Sequence, residues 1–357
     1  MNKCVEKINK QLGNMQNGGK LYLPVGEYSI DEPIVVDIPC LKIEGEVWNY
    51  PSDPNGVFES PNGTKLKMQN NHIPAFSIGE QTVLGGNVIK DLGIQGNITG
   101  MDTRGLFDYQ NPTASAGLCF QGTRVDQAEF SKVSMCGLAS AVCVTGNAEI
   151  DGCIFEKINT DGCCVGFYFS PKASYYANFR NCVAADTPFY GFFVNGKDKR
   201  IHHLDVTGMS FVRNGGAFPD DNPYPTAAVC FYEVSDCSVR DCTFDNSGTF
   251  WYYAPEAKTN SERKASAQPT PALYIQGNGN RIIGNTFSKC KGDAIVIHGD
   301  NNIIMNNIVD RDIVICGNNN VLANNIFTNE EAGIVVSGHS SGNEFMNIQD
   351  GRIRRIG

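Results

Sequence analysis

The sequence predicts an all-β chain wound into a right-handed parallel β-helix, closed at its N-terminal end by a short capping helix. Three observations predict it. A strand–turn–strand unit recurs near the C-terminus as RIIGNTFSKCKGDAIVIHG from Arg281, NIIMNNIVDRDIVICG from Asn302 and NVLANNIFTNEEAGIVVSG from Asn320, with NEFMNI from Asn343 closing the series. A second apolar strand recurs as GLCF, AVCV, CVGF, YGFFV, AVCF, ALYI, AIVI, DIVI and GIVV, beginning at Gly117, Ala141, Cys164, Tyr190, Ala228, Ala272, Ala294, Asp312 and Gly333. Turn formers are abundant, with 38 Gly and repeated Asn pairs, which favours many short strands over helices. The period of roughly 18–27 residues is that of stacked coils. One coil cannot bury its apolar positions alone, whereas neighbours above and below can.

The elements follow in order. Val5 to Leu12 reads as a short amphipathic helix and GGKLYLPVGEYSI from Gly18 as the first strand and turn, so residues 1–30 form a cap and first strand. Residues 30–110 carry looser coils (LKIEG, KLKM, VIKDLGIQG) without a fixed register, and no site residue is drawn from them. Asn285, Asn307, Asn325 and Asn347 take equivalent turn positions, where Asn side chains can bond along the stack and tolerate left-handed backbone. Cys242, Met209, Cys182, Cys153 and Cys136 continue that ladder upstream. The whole chain, 1–357, reads as one solenoid domain of the pectate-lyase-like type. Two long loops, 212–227 and 245–271, leave it at one corner on adjacent coils.

Composition narrows the function. The net charge is −9 with no Lys/Arg run, which argues against nucleic acid as a partner. No stretch reaches a membrane-spanning length. MNKCVEKINKQLGNMQNGG lacks the apolar core of a signal peptide, so the expected compartment is the cytoplasm, or the exterior where a leader has been removed. The 14 cysteines have no zinc-type spacing with His and read as small buried hydrophobes. No metal or cofactor is expected.

Strand alternation picks out an ionisable face. With Ile150, Phe179, Val206, Val239, Ile282 and Ile304 aligned and pointing inward, Asp151, Arg180, Thr207, Arg240, Ile283 and Met305 point out. Glu149 and Ser238 precede them, and His203 and Asp205 flank inward Leu204. The face is polar over the middle coils and apolar towards the C-terminus. Glycoside cleavage uses two carboxyl groups. Asp151 and Asp205, two coils apart on this alignment, would be separated by roughly 9.6 Å, the upper edge of the inverting range of about 6.5–9.5 Å. Glu149, Glu156 and Asp161 are alternative second acids, and His203 can act as acid or base. The loops supply Asp220, Asp221, Tyr224, Trp251, Tyr252 and Arg263, residue types that stack on sugar rings and bind hydroxyls. Asp151, Asp205 and His203 are thus the catalytic candidates. Glu149, Arg180, Arg240 and the six loop residues are the substrate-binding ones.

The chain resembles the inulin fructotransferase and difructose-anhydride hydrolase family. The resemblance is carried by GGKLYLPVGEYSIDEPIVV with LKIEG, GLFDYQNPTASAGLCF, AEIDGCIFEKINTDGCCVGF and the AVCFYEVSDCSVRDCTF coil with its long insertion. It implies a homotrimeric β-helix acting on fructosyl linkages as a glycoside hydrolase or intramolecular glycosyltransferase, with the site near subunit interfaces. The family's Asp falls on Asp151. Its Glu falls on Gly166, taken as the outward residue of CVGF, so this chain lacks an acid there. Two other functions compete. A polysaccharide lyase or uronate epimerase would need charge neutralisation and a base, for which Arg180, Arg240, His203 and Tyr224 are available. A non-catalytic, tailspike-like glycan binder would use the loops as receptor contacts.

Overall fold

In the computed structural model, described over residues 3–15, 17–46, 63–97, 104–218, 221–248, 269–348 and 352–356, every strand pairing is parallel. The chain is a right-handed parallel β-helix. Strands such as Gly117's neighbourhood (Ala116–Phe120), Ser140–Val144 and Val165–Phe169 stack in chain order into a 12-stranded sheet that runs from Ile34–Val36 to Ile353–Ile356. All nine apolar repeats seen in the sequence lie on it. A 22-stranded sheet forms the remaining wall as two side-by-side ladders. They bend between neighbouring strands at left-handed residues such as Asn181 (φ 53°), Asp241 (φ 53°), Gly284 (φ 72°) and Asn306 (φ 57°). A short five-stranded sheet, from Leu84–Gly85 to Arg200–Ile201, adds a third strip over the early and middle coils.

The capping helix spans Val5–Gly13 and buries Val5, Ile8 and Leu12 against the first coils, covering their apolar end. It is far too short to cross a membrane, and no described helix is long and apolar enough to do so. One continuous apolar core runs from Val5 to Val336. Its middle is a column of phenylalanines: Phe130, Phe155 and Phe179 stack at 5.1 and 4.4 Å, and Phe211, Phe244 and Phe287 at 4.9 and 4.3 Å. The cysteines from Cys40 to Cys316 are free thiols, all buried except these two. Burial pushes the thiols of Cys153, Cys182, Cys237 and Cys242 up to about 12, so they pack as apolar groups.

The turn ladder is double where the sequence suggests one. Cys242, Asn285, Asn307 and Asn325 form one file, and Cys237, Asn280, Asn302, Asn320 and Asn343 form another five residues earlier in each coil. In both, each Asn Oδ1 accepts the backbone N–H of the residue one coil below, and its Nδ2 donates to the carbonyl three residues before that neighbour. Three expected members move. Cys153 belongs beside Ala128 and Ala177 in the earlier file, Cys136 pairs with Asp161, and Asn347 aligns with Asn324 rather than Asn325. Asn307→Leu removes the acceptor of two Asn285 donors and is expected to cost about 2 kcal/mol, read as a lower urea midpoint. An unchanged midpoint would mean that water takes over those bonds.

Candidate functional site

The predicted ionisable face divides in two. Ile150, expected in the frame of Phe179, pairs instead with Val125 and Ser174 on the five-stranded sheet, and Phe155 is the partner of Phe179. Asp151 therefore stands in register with Asp126, while Asp205 stands in register with Asn178 and Ser238 on the large sheet. Asp151 and Asp205 remain two coils apart but lie on different sheets, so the shared outward file expected for them does not exist. The cause is a five-residue rhythm within one coil: Glu149–Asp151, Ile154–Glu156 and Asn159–Asp161 are three short strands with their central residues inward, each turned by two intervening residues. A frame slipped by one unit matches the alternation equally well.

Each misplaced acid has a local partner. Arg124 bridges Asp126 at 2.6 Å and Asp151 at 2.9 Å, and Lys172 holds Glu149 at 2.9 Å. On the large sheet Asp205 accepts Arg240 Nη2 at 2.5 Å, Arg240 Nε at 3.2 Å and the Ser238 hydroxyl. Burial pushes the Asp205 carboxyl up, but the Arg240 and Ser238 hydrogen bonds and the Arg240 charge outweigh it and hold the group below its ordinary range. Because the folded value is the lower one, this stabilisation is complete above the ordinary Asp range and vanishes as pH falls through the lowered value. Wild type should therefore exceed Asp205→Asn in melting temperature at neutral pH by the margin of about 1 kcal/mol, with the margin closing in acid. A margin independent of pH would refute the assignment. Arg180 is exposed beside Glu156, and exposed His203 stacks on Tyr176 at 5.0 Å. Asp220, Trp251, Tyr252 and Arg263 lie outside the described residues.

Gly166 is also relocated. Tyr168, in register with Cys143 and Phe193, is the outward residue of Val165–Phe169. A Cβ on Gly166 would meet the Gly191 carbonyl oxygen at 2.5 Å and Thr160 Oγ1 at 2.9 Å, so no acid fits there. The outward file, Cys119, Cys143, Tyr168, Phe193, Cys230, is itself buried and belongs to a second apolar cluster.

Members of that cluster line a cleft of about 1000 Å³. The segment following Arg104–Leu106 supplies one wall, with Phe107, Asp108 and Tyr109, and the first long loop another, with Phe218, Asp221 and Tyr224. The walls are fastened to each other. The Tyr109 hydroxyl donates to Asn222 Oδ1 at 2.6 Å, and Asn222 Nδ2 donates to the Tyr190 hydroxyl at 3.1 Å and the Tyr224 carbonyl at 2.7 Å. Tyr190 stacks on Phe193 at 4.5 Å, and Tyr224 packs on Phe193 and Tyr109 at 4.9 and 5.2 Å. Burial pushes the phenols of Tyr109, Tyr168 and Tyr190 upward, so they stay protonated donors. Asp108 and Asp221 are exposed, and the described lining contains no Lys, Arg or His. Among the described residues, no group of three or more His, Cys, Asp or Glu side chains could hold a metal.

Of the loop residues expected to bind substrate, Asp221 and Tyr224 line this cleft. Asp108, Tyr109, Phe107 and Phe218 were not among the candidates, although GLFDYQNP and the run between the two strands carry the aromatic and acidic residues that mark them. The first long loop does leave from the corner shared with the second: Gly215 N–H bonds Thr187 O, and Gly248 N–H one coil on bonds Asn214 O.

No protein-family model matches the sequence, and no curated protein matches it. Solved structures do match. DFA-IIIase from Arthrobacter chlorophenolicus A6, without its lid and in complex with GF2, superposes with a TM-score of 0.68 at 14% identity over 99% of this chain and 95% of that one. The fold is that of DFA-IIIase. Its complex with GF2 gives 0.66 at 14% identity over 98% and 90%, and a mutant in complex with DFA-III gives 0.65 at 14% over 98% and 92%. The likeness to DFA-IIIase covers nearly every coil, so the expected resemblance holds at the level of architecture.

Proposed function

We propose that the protein cleaves or rearranges glycosidic linkages of a neutral oligosaccharide, with fructosyl linkages as the first substrates to test, as a glycoside hydrolase or intramolecular glycosyltransferase. The observation that carries this is the cleft: aromatic walls, two carboxylates and no cation in the described lining. Aromatic faces suit the apolar faces of sugar rings, and two carboxyl groups are the usual equipment for glycoside chemistry. One of Asp108 and Asp221 delivers a proton to the bridging oxygen. The other, ionised, faces the anomeric carbon as nucleophile or as the base that activates water. The DFA-IIIase complexes with GF2 and DFA-III support fructosyl saccharides as the starting point.

A lyase or epimerase acting on uronates would need a positive group to neutralise the sugar carboxylate, and the described lining offers none. Mass spectrometry of products from fructans, GF2, DFA-III and uronide polymers tests the proposal. New neutral products from a fructosyl substrate are expected. Unsaturated uronides as the sole products, or binding with no conversion of any saccharide, would overturn it.

A further inference from the structure

A second cavity of about 480 Å³ adjoins the first, and Gly105 and Asp108 line both. The segment between them acts as a septum. Phe107 and Tyr109 face the aromatic lobe, Leu106 and Asn111 face the other, and Asp108 stands on the ridge. The second lobe has a different chemistry. Its described polar lining is carboxamide, from Gln69, Asn70, Asn71, Asn97 and Asn111, and among the described residues His72 alone can carry a positive charge there and Asp108 alone a negative one.

Several of these amides are fixed by one bond and keep capacity to spare. Asn70 Oδ1 accepts the His72 N–H at 3.0 Å, Asn97 Nδ2 donates to the Gln69 carbonyl at 3.3 Å, and Asn111 Oδ1 accepts the Thr113 hydroxyl at 3.1 Å. An amide has two donors and an acceptor with two lone pairs, so each retains groups for a ligand. Asn71 Oδ1 is buried and has no hydrogen-bond partner among the described residues. An orphaned buried acceptor is costly, and a ligand hydroxyl would relieve that cost. Asp108 is itself oriented, because its Oδ1 accepts the Gln110 N–H at 2.8 Å while its carbonyl accepts the Asn111 N–H at 3.1 Å.

Resting on the function proposed above, we infer that the cleft is bipartite and takes a neutral oligosaccharide of at least two rings across Asp108, one ring stacked in the aromatic lobe and the next read through its hydroxyls by the carboxamide lobe. Amides match hydroxyls because both donate and accept, and they add no charge for an ionic ligand to pair with. The ridge position puts the linkage between the two rings beside the Asp108 carboxylate. The carboxamide lobe thus sets substrate length and linkage.

Titration calorimetry of the full chain with fructose and with GF2 tests this, using wild type, Asn71→Leu and Asn97→Leu, with a thermal melt of each variant to verify folding. Wild type should bind GF2 at least about tenfold more tightly than fructose, the order of one or two good hydrogen bonds. Both variants should lose most of that advantage while binding fructose as wild type does. A length advantage that survives in both variants overturns the bipartite cleft and leaves the proposed function standing. Equal affinity of wild type for the two sugars overturns it as well. If wild type binds neither sugar and converts no saccharide, the functional proposal falls and takes this inference with it.

Discussion

Asp108→Asn is expected to lower turnover of the cleaved saccharide by about 10²–10⁴-fold, the range for loss of one general acid or base, with the melting temperature unchanged. Asp108 is exposed and its structural bonds are local: Oδ1 accepts the Gln110 N–H, which an Asn side-chain oxygen can also accept. The substitution removes the proton-transfer or nucleophilic capacity and little else. Asp221→Asn should behave similarly, since Asp221 lines the same cleft from another wall. The informative contrast is Asp151→Asn. Asp151 is held by Arg124 and lies in none of the cavities described, so its loss should cost under about 1 kcal/mol and leave turnover near wild type. Product formation under saturating substrate, measured on all three variants, decides between them. If Asp151→Asn abolishes turnover and Asp108→Asn does not, the chemistry belongs to the five-stranded sheet and the cleft is not the active site.

That contrast also marks where the sequence stops being informative. The 12-stranded sheet was legible because each coil contributes one compact apolar strand at a similar spacing, from Gly117 to Gly333, and a stack of such strands has few alternatives. One of the two C-terminal Asn files was legible for the same reason, since Asn285, Asn307 and Asn325 recur at near-constant intervals. The middle coils were not. Between Glu149 and Asp161 the chain makes three strands with a five-residue repeat, and alternation alone cannot say which unit faces Phe179. Only the inter-coil hydrogen bonds, such as Asn178 N–H to Cys153 O, fix the answer. The cleft was half legible. The first long loop was recognisable by length, and its Asp221 and Tyr224 are where a loop site would put them. The other wall was not, because Asp108 and Tyr109 sit about a hundred residues upstream in the region without a clear register, and nothing short of the fold brings Tyr109 to Asn222.

Phe179→Ala should give the largest loss of stability of any substitution considered, about 3–5 kcal/mol. Phe179 is fully buried. Its ring lies parallel to Phe155 at 4.4 Å and meets the edges or faces of Phe192, Phe167 and Phe169 at 4.8, 5.6 and 5.7 Å. It therefore joins the large sheet to the 12-stranded sheet across the core and joins its own coil to the coil below. Large rings on all these sides cannot collapse into the gap without leaving their own stacks, so most of the cavity should persist. In a solenoid the stability rests on coil-to-coil interfaces, and this one lies behind the cleft: Phe167 and Phe192 are the inward neighbours of Tyr168 and Phe193, which pack under the lining residues Phe107 and Tyr109. The variant should accordingly lose activity at lower temperature than it loses total β-structure, as the middle coils loosen before the Asn-bonded C-terminal ones. Urea titration followed by circular dichroism gives the global loss, and saccharide turnover followed against temperature gives the local one. A loss below about 1 kcal/mol would show that the aromatic column is not the element holding the middle coils together. Coincident loss of activity and β-structure would show that the coils unfold as one unit.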